Sequence, residues 1–262
     1  MIVRTAEELA GMRQSGLRAA RVREALVPRV SPGMTTGELG AIAGELIRAE
    51  GAESAFLGYR GYPGQICISV NDEVVHGIPG PRRIQVGDIV SLDIGVRYRG
   101  FIGDTATTVM VGVADPDVIR LVRTAEQALY AGIERARAGG RVIDISGAIE
   151  DTACGAGFSV VRTLVGHGVG RALHEDPQVP NYRSKDRPVR LRPGMTIALE
   201  PMVNRGGSDV ETLPDKWTVR TKDGRPSAHF EHTILIREDG PAEILTAAPG
   251  ARNGVDSIGP TP

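Results

Sequence analysis

Leu9, Met12, Gly16, Ala19, Ala20, Val22 and Leu26 recur at the spacing of one helix face, which predicts a helix over residues 5–27. Thr5 is placed to cap it, with Glu8 as the capping-box partner. Pro28 and then Pro32-Gly33 stop it. Leu39, Ile42, Leu46 and Ile47 mark a second helix from about Thr36 to Glu50, ended by Gly51. Residues 56–65 are rich in Gly, Tyr and Pro and read as an ordered loop. Ile66–Val70 reads as a short strand, followed by a turn at Asn71-Asp72-Glu73. Strands over about 89–97 and 105–113 are joined by a tight connection at Arg99-Gly100. Asp115-Pro116 opens a third helix to about Ala138, and a fourth runs from about Asp144 to Gly155. Strands are expected near 158–165, 195–203 and 231–237, and from about Pro249 the composition is that of a frayed tail.

This order repeats: helix, helix, then β-strands. At a shift of 107, Gly33–Ile42 aligns with Gly140–Ile149, and Gly87–Asp93 with Gly194–Glu200. Asp93 therefore falls on Glu200. Asp104 and Glu231 fall at matching strand starts if the second half carries about 20 extra residues near 205–228. Two such matches in order point to duplicated halves. The expected fold class is α+β, one domain over residues 1–248 with halves of about 1–113 and 114–248, and a flexible tail over 249–262.

Composition narrows the function. The chain has 262 residues, a net charge of −1, and 41% apolar but only 4% aromatic residues. A near-neutral balance argues against a dedicated nucleic-acid or polybasic membrane binder. Cys67 and Cys154 form no disulfide framework and match no zinc motif, which fits a reducing cytosol. No apolar stretch long enough for a signal core or a membrane span is found, so a cytoplasmic protein is expected.

Four short stretches carry the chemistry. They are Ser91–Gly95, Gly103–Thr105, Gly166–Gly170 with Ala198–Pro201, and Phe230–Thr233. Each sits beside an apolar run and offers a ligand for a divalent metal: Asp93, Asp104, His167 with Glu200, and Glu231. Glu200, between Ile197-Ala198-Leu199 and Pro201-Met202-Val203, is expected mid-sheet. Converging buried carboxylates repel one another and take up protons unless cations neutralise them. Oxygen ligands with one imidazole suit Mn²⁺, Fe²⁺, Co²⁺ or Zn²⁺. This set over-supplies one ion and suits two, about 3.5–4 Å apart, around a bridging hydroxide. The chemistry implied is hydrolysis of a polar bond. Gly166-His167-Gly168-Val169-Gly170 lacks the Lys-Ser/Thr of a phosphate loop.

Taken together, the chain resembles the type I methionine aminopeptidases, of the pita-bread metallopeptidase fold. The resemblance rests on Ser69–Pro79, Asp93, Gly103-Asp104-Thr105, Gly166–Gly170, His174-Glu175, Glu200–Val203 and Glu231-His232-Thr233, in family order over roughly residues 5–247. It implies two pseudo-twofold-related halves and a central curved antiparallel sheet covered by helices. It also implies hydrolysis of the N-terminal initiator methionine from nascent chains with a small second residue, by a dimetal-bridged hydroxide. Asp93 would chelate one ion, Asp104 and Glu231 would bridge both, and His167 and Glu200 would complete the other site. Glu200 would shuttle the proton, His174 would steady the oxyanion, and His76 would face the scissile nitrogen. The methionine pocket would be Phe56, Tyr59, Tyr62, Cys67, Leu173 and Trp217. His229 and His232 have no family role and read as structural.

Phe56 is larger and Leu173 smaller than many relatives carry, a pair that could compensate in volume. Gly95 stands where some relatives have Thr. Asn71 and Ser227 match positions near a monovalent cation in some relatives. A monomer is expected, with no nucleic-acid or membrane partner. The run Arg183–Arg192 could touch the ribosome, though a solvated loop is the simpler reading. Ile2 is large, so Met1 should be retained. The rival readings are a prolidase-like or aminopeptidase P-like enzyme, a non-catalytic binding protein on the same fold, and a dinuclear phosphoesterase.

Overall fold

Helix α1 (Ala6–Leu26) lies against the strand that carries Asp104. Glycine makes this approach possible. A β-carbon on Gly103 would come within 2.6 Å of Gly16 Cα. Ser15 Oγ donates across the same contact to the carbonyls of Val96 and Phe101, each at 3.0 Å. The computed structural model describes residues 1–185 and 189–248. The expected tail over 249–262, and part of the basic run 183–192, lie outside the described residues.

The helices form where the periodicity puts them. Thr5 caps α1 by accepting from Glu8 N at 3.1 Å. The reciprocal half of the box is absent, because the Glu8 carboxylate takes Arg4 N instead. Helix α2 (Thr36–Ala49) carries the complete box between Thr35 and Glu38, and Gly51, at φ +66°, follows it. Asp115 caps α3 (Pro116–Arg135), and α4 spans Val142–Gly155. α1 and α2 cover one half of the main sheet and α3 and α4 the other, each pair over its own aliphatic core.

That sheet has nine strands. Its central path runs Glu53–Ser54, Ile89–Tyr98, Phe101–Met110, Glu231–Leu235, Thr196–Leu199, Gly166–Gly168 and Glu175–Val179. Cys67–Val70 also pairs with Ile89–Tyr98, and Glu243–Ile244 with Glu231–Leu235. The strand pairs of this sheet are antiparallel, and the seam between Phe101–Met110 and Glu231–Leu235 leaves four strands on one side and five on the other. The first half ends on one side of this seam and the second on the other.

Three strand expectations are corrected. The second strand of the first hairpin is Phe101–Met110, not 105–113, because Arg99 (φ +49°) and Gly100 (φ +77°) close a two-residue turn. Asp104 is therefore inside its strand rather than at its start, whereas Glu231 does open its own. The expected strand over 195–203 is two pieces, Thr196–Leu199 and Met202–Asn204. Pro201 cannot donate to a ladder, so Glu200 sits at a break and not mid-sheet. Near 158–165 only Ser159–Val160 is extended in a ladder. The extra segment of the second half folds as a hairpin, Val210–Thr212 with Val219–Thr221, joined to Glu73–Val75.

Candidate metal centre and active site

Register delivers the acidic cluster. Cys67 is opposite Asp93, Asp93 opposite Ala106, and Ala106 opposite Glu231. Directly paired residues face the same side of a sheet, and so do residues two apart on a strand. Asp93, Asp104 and Glu231 therefore share one face. His232 pairs with Leu199, which brings Glu200 level with Glu231, and His167 pairs with Ala198.

Asp93, Asp104, His167 and Glu231 are buried, at 8%, 4%, 8% and 3% exposure. Ligand atoms of Asp104, His167 and Glu231 all lie within 4.8 Å of one another. Glu200 Oε1 is 3.2 Å from His167 Nε2. One carboxylate oxygen on each of Asp93, Asp104, Glu200 and Glu231 is buried without a hydrogen-bond partner. Such groups are costly unless a proton or a cation satisfies them. Burial holds all four carboxyls well above the usual carboxylate range, and Asp93 pushes Asp104 up further.

The histidine is prepared in the opposite sense. His167 Nδ1 lies 2.9 Å from the Gly168 carbonyl, which can only accept, so Nδ1 carries the proton. Burial, and then His174, depress this imidazole to about 4, which leaves Nε2 as a free lone pair near neutrality. A lone pair facing a carboxylate oxygen is repulsive unless a proton or a cation lies between them. The donor set and its orphaned oxygens fit a divalent metal.

A second layer fixes the ligands' backbones. Thr233 Oγ1 accepts from Asp104 N and donates to Asp104 O. Thr105 Oγ1 donates to Glu231 O and accepts from buried Arg23 Nη1 at 2.7 Å. Asn181 Nδ2 donates to Glu200 O.

These carboxylates line one end of a cavity of about 190 Å³. Its wall is Phe56, Tyr59, Arg60, Tyr62, Cys67, His76, Leu173, His174 and Trp217. All the residues expected in the metal, catalytic and pocket sets thus meet in one place. Tyr59 Oη is 2.8 Å from His174 Nδ1. The His174 and His167 rings are 4.3 Å apart between centroids. His76 holds φ +60°, a conformation non-glycine residues rarely adopt, with its ring 6.3 Å from Trp217. Burial, then His174, lower His76 to about 4. Burial first, then Asp93, push the Cys67 thiol up, which suits a packed thiol rather than a nucleophile.

Other expected residues lie outside this wall. His232 bonds Thr246 Oγ1 through Nδ1. His229 is 2% exposed, with neither ring nitrogen hydrogen-bonded. Asn71 accepts at its carbonyl from Ser227 N, while its side-chain oxygen accepts from Ile89 N.

Sequence reasoning missed Arg60 and Arg23, and gave no role to Thr105 and Thr233, which stood inside two of its motifs. Arg23 had left a signal: it falls on the helix face defined by Gly16, Ala19 and Ala20, where a cation is out of place. Arg60 stood in a loop already marked by its aromatics.

A helix-covered antiparallel sheet with a buried Asp/His/Glu cavity at its seam defines a metallohydrolase with the pita-bread fold. The chain belongs to metallopeptidase family M24, whose sequence model matches residues 10–238. It is 48% identical over 246 residues to methionine aminopeptidase 1 of Bacillus subtilis, covering 94% of this chain and 99% of that one. It is 46% identical to methionine aminopeptidase A of Synechocystis, covering 91% and 94%. The crystal structure of methionine aminopeptidase from Thermotoga maritima superposes with a TM-score of 0.90 at 44% identity, covering 94% and 99%. Prolidase from Pyrococcus furiosus shares the fold at a TM-score of 0.76 and 24% identity, with 95% of this chain covering 66% of that one.

Proposed function

We propose that the chain hydrolyses the N-terminal methionine from nascent proteins and peptides whose second residue is small. The observation that carries this is the cavity itself, acidic and histidine-bearing at one end and apolar and aromatic at the other. The extent of identity to methionine aminopeptidases supports the same reading.

Asp93, Asp104, His167, Glu200 and Glu231 would hold two divalent ions, drawn from Co²⁺, Mn²⁺, Fe²⁺ or Zn²⁺. Such ions supply Lewis acidity and a water of lowered pKa. Phe56, Tyr59, Tyr62, Cys67, Leu173 and Trp217 bind the thioether side chain and exclude water from it. Glu200, raised by burial and by Asp104, is the group that takes and returns a proton. His174, oriented by Tyr59, donates to the carbonyl oxygen as charge develops there. His76 faces the departing nitrogen. Asn71 and Ser227 mark the expected monovalent-cation position.

The protein works as a cytoplasmic monomer, on chains emerging from the ribosome, without nucleic-acid or membrane partners of its own. No described helix is long and apolar enough to cross a membrane.

Metal-reconstituted protein should release methionine from Met-Ala-Ser, and not from Met-Leu-Ser or from X-Pro peptides. Release from X-Pro peptides alone would move the reading to a prolidase-like enzyme. No release with any divalent ion would end the enzymatic reading.

A further inference from the structure

Of the fourteen residues lining the cavity, only Arg60 and His174 are exposed. They therefore mark its mouth. The other acidic and imidazole groups of the lining, Asp93, Asp104, Glu200, Glu231, His76 and His167, are buried or half-buried. Arg60 is thus the one permanent cation among the described residues that line the cavity.

Its placement is specific. Arg60 holds φ +48° between Gly58 at +80° and Gly61 at +87°. Tyr62 N donates to Tyr59 O, and Gly58 N to Tyr62 O, which closes the turn around it. The guanidinium carbon lies 5.4 Å from the centroid of the Tyr59 ring, whose hydroxyl meets His174. No ion pair engages Arg60 among the described residues. Its field reaches His174: burial first, and then the Arg60 charge, lower that imidazole. Asp215, the acid beside Trp217, is already engaged by Trp217 N, Thr218 N and Thr218 Oγ1.

We infer that Arg60 is a specificity-determining residue that selects peptides bearing a carboxylate at the third residue or just beyond. This rests on the proposed function, which puts the first side chain inside the cavity and the scissile carbonyl at His174. The chain that follows that bond must then leave past Arg60. The second side chain is small, so the third is the first that can reach the guanidinium. An aspartate or glutamate there meets an unpaired cation, and a lysine or arginine meets repulsion. The pairing occurs at a solvent-exposed rim, so it is modest and weakened by salt. A bidentate guanidinium–carboxylate geometry gives Arg an advantage over Lys.

The test uses metal-loaded full-length protein and amidated peptides Met-Ala-Asp, Met-Ala-Ser and Met-Ala-Lys, so that no terminal carboxylate competes. At low ionic strength kcat/KM for the Asp peptide should exceed that for the Lys peptide by about threefold or more. The ratio should fall towards one in high salt. It should reach one in Arg60→Gln, invert in Arg60→Glu, and persist in part in Arg60→Lys. Each ratio is taken within one enzyme, so a loss of folded protein does not alter it. Equal values for the Asp and Lys peptides in the unmodified protein, or a ratio unchanged in Arg60→Glu, would overturn the inference. Turnover of the Ser peptide separates this failure from failure of the proposed function. If methionine is released from it while charge has no effect, only the role of Arg60 falls.

Discussion

The ring of Phe56 occupies the space that a β-carbon on Gly95 would need. Gly95 is paired with Asp104, so this contact links the proposed methionine pocket to the candidate metal ligands through one strand. Phe56 and Leu173 do belong to one apolar cluster. The tighter relationship, however, is between Phe56 and Gly95. Gly95→Thr should therefore destabilise the fold by about 1–3 kcal/mol through overpacking. Phe56→Cys should also destabilise it, and the double variant should recover much of both losses. A chemical-denaturation double-mutant cycle reads the coupling, expected at about 0.5–3 kcal/mol. Additive losses would mean that the ring can move aside.

Metal uptake should expel protons. In the metal-free protein, burial keeps the site carboxyls protonated above their ordinary range. Raised groups contribute stability that is full below the unfolded value and is lost as pH climbs through the folded value. Above about pH 7.5, a unit beyond the ordinary imidazole value, the buried histidines are neutral in both states and add no slope. Stability of the metal-free protein should therefore fall from there with rising pH, while apparent metal affinity rises. Calorimetry in buffers of different ionisation enthalpy measures the protons released.

Glu231→Gln should trade function for stability. It removes one of four acids that repel one another once ionised, while keeping the shape. The metal-free variant should gain about 1 kcal/mol, roughly 2–4 °C in Tm for a chain of this size. The Tm gain on adding Mn²⁺ or Co²⁺ should shrink sharply, and peptidase activity should be lost. Thermal scans with and without metal check both halves of this prediction.

Tyr59→Phe deletes the hydroxyl beside His174 Nδ1. Losing one such bond is worth about 0.5–1.5 kcal/mol, or roughly 2–10-fold in kcat. The acid limb of the kcat–pH profile should also move, since Tyr59 is the polar partner of that ring in the structure. An unchanged profile with a raised KM alone would make Tyr59 a wall and nothing more.

Arg23 bears on metal affinity from the far side of the sheet. It holds Thr105, which holds the Glu231 carbonyl. Arg23→Met should weaken divalent-metal binding about 10-fold or more, with partial rescue in Arg23→Lys. Isothermal titration of folded protein separates this from simple instability.

The helices and the acidic set were legible because both rest on local or chemical signals. Heptad-like spacing and caps define α1 and α2. Acids beside apolar strands are unusual enough to stand out. What could not be read was whatever register and turns decide. The position of Asp104 within its strand depends on the Arg99-Gly100 turn, and the break at Glu200 depends on Pro201. The partner of Phe56 is 39 residues away in sequence, at Gly95, and only the pairing of Glu53–Ser54 with Ile89–Tyr98 brings them together. Glu8 shows the same limit at short range: the motif was present, yet its carboxylate chose Arg4 N.

The seam at the centre of the sheet has a consequence for ancestry. Asp93 and Asp104 come from one side of it, and Glu200 and Glu231 from the other. An isologous dimer of a single unduplicated half would already gather two acids from each copy around its axis. Binding a pair of cations thus needs no divergence between the copies. Among the candidate ligands His167 alone has no counterpart of its kind across the seam, a difference between two sides that a dimer of identical halves could not hold.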